Sequence, residues 1–192
     1  MFHELRIYDL VPGKAPDYLE LFRKNGVQHV TRHLPLAGYW LTDSGALNRI
    51  YHLWIYASLE ERAAARAGLA RDRDWNEGFV PAGFPLIVRQ ENLLMRCEAS
   101  SPLLDLVAAA RRQAHPPDAQ GTPMFGERLL TLAEGDGAAA GEQLGRWRAV
   151  SGAAPGRVLS LFAHAPGEDP FATAEGAARH EILRPLALSP LR

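Results

Sequence analysis

Residues 3–11 alternate, with Glu4, Arg6 and Tyr8 on one side and Leu5 and Ile7 on the other, the period-two signature of a strand with two different faces. Pro12-Gly13 breaks the pattern, and Ala15-Pro16-Asp17 opens a helix with Pro16 in its first turn. Tyr18, Leu21 and Phe22 recur at helical spacing, and the helix is predicted to run to about Leu34. Residues 36–42 (LAGYWLT) read as a short aromatic strand and residues 47–56 as a longer one, joined into a hairpin by Asp43-Ser44-Gly45. Ser58 and Glu61 have the S-x-x-E spacing of a capping box and start a second helix rich in Ala and Arg. Residues 74–85 read as a mixed loop and residues 86–96 as a last strand.

The order strand, helix, strand, strand, helix, strand is the split βαββαβ arrangement of a ferredoxin-like unit. A second copy is visible further on. Residues 48–58 (NRIYHLWIYAS) and 156–166 (GRVLSLFAHAP) align without gaps, keeping an arginine (Arg49, Arg157) and the aliphatic alternation. The second copy puts Ser160 for His52, Phe162 for Trp54 and His164 for Tyr56, so polar chemistry is concentrated in the first. The expected fold class is α+β, with tandem ferredoxin-like lobes of which the second is degenerate. Residues 1–98 form the first domain, 99–123 a linker with a short helix and a Pro/Gly-rich run, and 124–192 the second repeat. In that repeat ERLLTLAE is read as the first strand, with Glu127 opposite Glu4, and residues 138–150 as a helix. The short stretch that follows suggests that the second strand is lost, and Pro190 makes the tail a poor final strand.

Composition narrows the function classes. A formal net charge of −1, with cations scattered among anions, offers no basic stripe, so nucleic acid and membrane surfaces are not expected partners. A single cysteine, Cys97, excludes an internal disulfide and in its apolar run reads as a small core residue. With no leader-like start and no run long enough to span a bilayer, a cytoplasmic protein is expected.

Several spaced motifs, ELRIYDLVPG at 4–13, LAGYW at 36–40, LNRIYHLWIYASLEERAAARA at 47–67, Asp74-Trp75 and QENLLM at 90–95, together resemble the NIPSNAP family of the dimeric α/β-barrel superfamily. The resemblance covers residues 2 to about 96 and implies two ferredoxin-like sheets packed face to face around a partly enclosed interior. It implies little about reaction: some members are linked to vesicle traffic or mitochondrial quality control, and related barrels include monooxygenases, cyclases and haem-handling proteins.

The alternation also selects candidate site residues. With Leu5 and Ile7 assigned to a helix-covered face, Glu4, Arg6 and Tyr8 share the other face with Asn48, His52, Trp54 and Tyr56 of the third strand. A polar, aromatic face suits a barrel lining in which a few groups orient a small ligand. His52 is the candidate general base, since an unperturbed imidazole titrates near neutrality. Arg6 would hold a carboxylate or enolate oxygen and Tyr8 would donate to it, although Glu4 and Arg6, on one side of one strand, are rather more readily read as pairing with each other. Trp40 or Tyr39, and either Gln90 with Asn92 or Glu91, extend the candidate site.

Other features favour plainer readings. Arg62 and Arg66 suit a solvated ion-pair face, and His29 and His33 suit packing or solvent rather than zinc, there being no third ligand in the pattern. No phosphate loop, serine elbow or C-x-x-C pair is present. No metal or cofactor is expected. A homodimer is expected, because the aromatic sheet face must be covered either by the second lobe or by another subunit. The leading function is binding of a small aromatic or carboxylate-bearing metabolite, with cofactor-free conversion left open. The competing reading is a non-catalytic interaction module whose sheet face serves only dimerisation.

Overall fold

The computed structural model describes residues 1–135 and 141–192. The chain runs β1 (Phe2–Leu10), α1 (Ala15–Leu21), a π-helical turn (Phe22–Gly26), α2 (Val27–Val30), β2 (Leu36–Ser44), β3 (Arg49–Tyr56) and α3 (Leu59–Arg71). A second π-helical turn (Trp75–Phe79), α4 (Val80–Gly83) and a 3-10 turn (Phe84–Leu86) lead into β4 (Ile87–Ser100) and α5 (Pro102–Ala109). The remainder is β5 (Leu129–Glu134), β6 (Glu142–Gly152), β7 (Val158–His164), a 3-10 turn (Pro170–Thr173) and β8 (Arg179–Pro185). The cap of α3 forms, Ser58 Oγ accepting from the Glu61 N–H at 3.2 Å, while the Glu61 carboxylate accepts from the N–H of Ala57, one residue before the cap. Residues 74–85, read as a loop, are instead mostly helical turns.

The eight strands of the described residues close into one barrel in the order β1-β3-β2-β8-β5-β7-β6-β4. The first four strands lie in the order β4-β1-β3-β2 and the last four in the order β8-β5-β7-β6, and every neighbouring pair is antiparallel. The edge strands β2 and β4 of the first half pair with β8 and β6 of the second, so closure takes place within one chain. A homodimer had been expected as one way to cover the aromatic sheet face; here the helices cover that face and the second half closes the barrel over the opposite one.

Leu5, Ile7, Trp40, Leu53, Ile55, Leu93 and Met95 meet Leu130, Leu132, Trp147, Leu159, Leu161 and Leu183 in a single buried cluster inside the barrel. The space left among them is about 10 Å³, too little for a ligand. An eight-stranded barrel is just wide enough for side chains to fill, so its interior takes the aliphatic set. The opposite faces of β1 to β3 carry Tyr8, Tyr39, Trp54 and Tyr56, which pack instead against Tyr18, Phe22, Trp75 and Phe79 of the helical cover. The alternation had grouped these residues as they are grouped here, but the assignment of faces is reversed: Leu5 and Ile7 fill the barrel, and the polar, aromatic set lies outside it under the helices.

The second half also departs from expectation. Residues 142–150, expected to be helical, are part of β6, while 138–140 lie outside the described residues. Pairing with β4 on one side and β7 on the other overrides local helix propensity here. The strand carries its own signal, since Gly145-Arg146-Trp147 repeats Gly38-Tyr39-Trp40 of β2. In each, the indole lies against the glycine two residues earlier: a Cβ on Gly38 would fall 2.1 Å from Trp40, and one on Gly145 2.4 Å from Trp147. The second half thus carries a strand, β6, where the sequence had suggested that one was lost. The final strand, β8, precedes the tail, and the position matching Glu4 is Thr131 rather than Glu127, because Glu4 pairs with Trp54 as Thr131 pairs with Phe162.

The arginine kept in both copies makes an ion pair in both, Arg49 with Asp9 at 2.6 Å and Arg157 with Glu134 at 2.6 Å. Helix α5 starts at the Ser101 cap, whose Oγ accepts from the Leu104 N–H at 3.1 Å, and adds Leu104 and Val107 to the barrel cluster. Leu191 of the tail joins them, its carbonyl accepting from Trp40 Nε1 at 2.9 Å. Cys97, expected in the core, is exposed on β4.

Candidate ligand-binding site

The helical cover of the first half does not close completely on the sheet. A cavity of about 250 Å³ remains between them. Its floor is Arg6 and Tyr8 of β1, Tyr39 of β2, His52 and Trp54 of β3 and Gln90 of β4; its walls include Tyr18, Phe22, Leu34, Arg66, Leu69, Trp75 and Phe84. Both π-helical turns contribute, through Phe22 and Trp75, and they lock together where Phe22 and Phe79 meet edge to face at 6.0 Å. Gly26 makes this approach possible, since a Cβ there would lie 2.8 Å from the Phe79 ring.

His52 sits at the centre of the floor, stacked on Tyr39 with ring centroids 5.0 Å apart and edge-on to Tyr8 at 4.5 Å. Trp54 Nε1 donates to its Nδ1 at 2.8 Å, while its Nε2 is buried and has no hydrogen-bond partner among the described residues. Burial, and secondarily the Arg6 charge, hold the imidazole well below its ordinary pKa, so the ring is neutral. A neutral imidazole that accepts at Nδ1 carries its proton on Nε2. That nitrogen is therefore a donor, and the general-base role read from the sequence does not fit the ring as it is held here. Burial likewise raises the Tyr8, Tyr18 and Tyr39 hydroxyls, which stay protonated.

Glu4 lies behind the cavity and is fully buried. Arg62 binds it through two hydrogen bonds of 2.8 Å, Arg66 donates to it at 3.2 Å and Asn92 at 2.8 Å, and Arg6 NH1 stands 3.7 Å away. Arg62 and Arg66, expected on a solvated ion-pair face, instead reach inward from α3 to a carboxylate on β1. Arg6 also donates to Gln90 Oε1 at 3.0 Å and lies over the Tyr8 ring, 5.2 Å from its centroid. Cations outnumber the single carboxylate in this group, and Arg6 and Arg66 bring the surplus positive charge to the cavity wall.

Of the residues singled out in the sequence, Arg6, Tyr8, His52 and Trp54 line the cavity together, with Glu4 and Asn92 immediately behind. Tyr56 lies on the same face but stacks on Phe2, centroids 5.6 Å apart, outside the lining. Trp40 and Asn48 are corrections. Trp40 points into the barrel, its parity being opposite to that of Tyr39, and Asn48 occupies a turn at φ 58°, where its Oδ1 accepts from the Gly13 N–H at 2.9 Å. On β4 it is Gln90 and Asn92, not Glu91, that share the face, Glu91 being paired with Arg89. Tyr18, Phe22, Arg66 and Trp75 were missed as site residues; the four-residue spacing of Tyr18 and Phe22 was the available signal. His29, Asp72 and Asp74 come within 4.8 Å of one another, but Arg32 already bridges both carboxylates, at 3.5 and 2.9 Å, where a cation would sit. His33 binds Asp72 at 2.7 Å.

The NIPSNAP family model matches residues 3–102, just over half of the chain. The chain belongs to the NIPSNAP family. The matched segment holds β1 to β4 and the whole cavity lining. Protein NipSnap homolog 3B of Mus musculus is 40% identical over 91 residues, covering 47% of this chain and 36% of that one. Protein NipSnap homolog 3A of Homo sapiens is 36% identical over 108 residues, covering 53% and 43%. This NIPSNAP chain thus spans well under half of the length of those relatives. Among solved structures, a NIPSNAP family protein of unknown function from Agrobacterium tumefaciens is 38% identical with a TM-score of 0.51, covering 53% of this chain and 92% of its own. A "putative monooxygenase" from Lactobacillus acidophilus covers 97% of this chain and 92% of its own at a TM-score of 0.51, but at 9% identity the likeness is one of fold alone. No described helix is long and apolar enough to cross a membrane.

Proposed function

We propose that the protein binds a small, single-ring aromatic metabolite bearing an acidic oxygen, in the cavity between the sheet and the helices of its first half. The observation that carries this reading is the convergence of Arg6, Tyr8, His52 and Arg66 on one partly open cavity walled by Tyr, Phe and Trp rings. A volume of about 250 Å³ suits a ring with one or two substituents; by comparison, an engineered apolar cavity of about 150 Å³ takes benzene. A few convergent polar groups in an aromatic pocket are the usual form of a small-molecule site. Any conversion there would draw on the same groups, which would stabilise negative charge developing on a bound enolate or phenolate oxygen. The architecture is read as two ferredoxin-like halves, residues 1–98 and 124–192 joined by 99–123, with the site kept only in the first. Support comes from the matching strand orders of the two halves and from Thr131, Ala133, Ser160 and Phe162 standing where the first half has Glu4, Arg6, His52 and Trp54.

The test is titration of the purified protein with benzoate and hydroxybenzoates, followed by calorimetry and by the fluorescence of Trp54 and Trp75. Saturable binding that is lost in Arg6→Ala and His52→Gln while the circular dichroism spectrum is unchanged is the expected result. Binding unaffected by both substitutions would place any ligand elsewhere and remove the reading.

A further inference from the structure

Resting on that reading, we propose that Trp54 is a positioning residue that fixes His52 as an Nε2–H donor, so that the cavity selects anionic aromatic acids and rejects amines. The inference starts from one hydrogen bond. The indole Nε1–H of Trp54 can only donate, and it donates to His52 Nδ1 at 2.8 Å; the neutral ring must then place its single proton on Nε2, which is buried without a partner among the described residues. An unmade buried donor is costly unless something accepts from it, and a ligand oxygen would do so.

The other polar groups of the lining agree in sign. Arg6 and Arg66 are donors only, and each has a buried Nε with no partner among the described residues. The Gln90 carbonyl oxygen accepts from Arg6, and its amide N–H groups remain as donors. Among the described residues no carboxylate lines the space, because Glu4 is held behind it by Arg62, Arg66 and Asn92. A carboxylate or phenolate oxygen would thus meet guanidinium, imidazole N–H and phenol O–H groups, whereas an ammonium would meet the like charge of two guanidinium groups with no carboxylate to offset it. Trp54 touches the same cavity, but its effect on selectivity runs through the tautomer of His52.

The experiment compares three probes of one shape, benzoate, benzamide and benzylamine, in wild type and in Trp54→Phe, which keeps an aromatic wall and removes the N–H. Long-range proton–nitrogen NMR correlations of the imidazole, assigned through the signals lost in His52→Gln, read the tautomer directly and without ligand. The expected wild type shows Nε2 protonated and binds benzoate at least tenfold more tightly than benzamide, with benzylamine weaker still. In Trp54→Phe the two tautomers should mix and the preference for benzoate should shrink several-fold more than binding of benzamide falls. An Nδ1-protonated wild type, or a Trp54→Phe protein whose tautomer and selectivity are unchanged, overturns the inference. Equal binding of all three probes overturns it while leaving the pocket intact as a binding site. Failure of every probe to bind removes the functional reading and the selectivity with it, although the tautomer measurement would still stand.

Discussion

Buried histidines, His3, His52 and His164 among the described residues, give the protein a pH dependence that can be worked out residue by residue. His3, on the barrel side of β1, accepts from Trp147 Nε1 at 2.8 Å, and burial, aided by the N-terminal ammonium, lowers its pKa from 6.5 to about 4. Between those values the unfolded chain takes up a proton that the folded chain refuses. The contribution of His3 is therefore complete above pH 6.5 and is lost as pH falls toward 4, a loss of about 3 kcal/mol in all. His52 pulls in the same direction, being held neutral by burial. Urea unfolding at pH 7.5 and at pH 4.5 should show this loss, and His3→Gln, whose amide oxygen can still accept from Trp147, should show a smaller pH slope. The two faces of β3 should separate just as cleanly. Leu53→Ala opens a void in the packed barrel and should cost about 2–5 kcal/mol, measurable by the same titration, whereas His52→Gln should act mainly on binding.

At the scale of elements, α3 is the least anchored part of the site. None of its residues is buried, and its Ala65 and Leu69 make only partial contact with the aromatic cluster. What ties it to the sheet is the reach of Arg62 and Arg66 to Glu4. Glu4→Gln keeps the shape and removes the charge. Since the two guanidinium groups retain partial exposure, with side chains 24% and 31% accessible, they would be left partly hydrated rather than stranded, and the cost should be about 1–3 kcal/mol. Hydrogen exchange should show the effect as faster exchange confined to α3, with β1 and β3 unchanged; uniform acceleration would mean that Glu4 supports the whole barrel. This tie was hidden in the sequence, where Arg62 and Arg66 beside Glu60 and Glu61 look like an ordinary solvated face. Strand alternation showed which of Glu4, Arg6, Tyr8, His52 and Trp54 share a side. It could not show what covers that side, because both faces of β1 and β3 are apolar or aromatic enough to be buried. The covering is decided by barrel closure, a long-range event, and the one local trace of it, the Gly-x-Trp of β2 recurring in β6, lay inside a stretch whose Glu, Gln and Leu favour a helix.

For the whole molecule, closure within one chain changes what association means. The NIPSNAP proteins of known structure are matched over about half of this chain, the half that ends near residue 102. That half alone would expose Leu5, Ile7, Leu53, Ile55, Leu93 and Met95, along with the unpaired edges of β2 and β4. In the full chain the second half covers that face and pairs both edges. Light scattering on the full chain should accordingly give a mass near 21.1 kDa at micromolar concentration, and a fragment of residues 1–102 should self-associate or aggregate. Charged substitution separates the alternatives. Leu93→Glu should disrupt the fragment's association by placing a carboxylate on the face it would bury, and in the full chain the same change should unfold the barrel rather than dissociate a dimer. A full chain that proves dimeric and dissociates without unfolding when an exposed position such as Val88 or Val150 is made charged would show that its partner contact lies on the outer surface, independent of the barrel. The cavity lies wholly within the first half and outside the barrel, so binding of benzoate to it should be the same in either assembly.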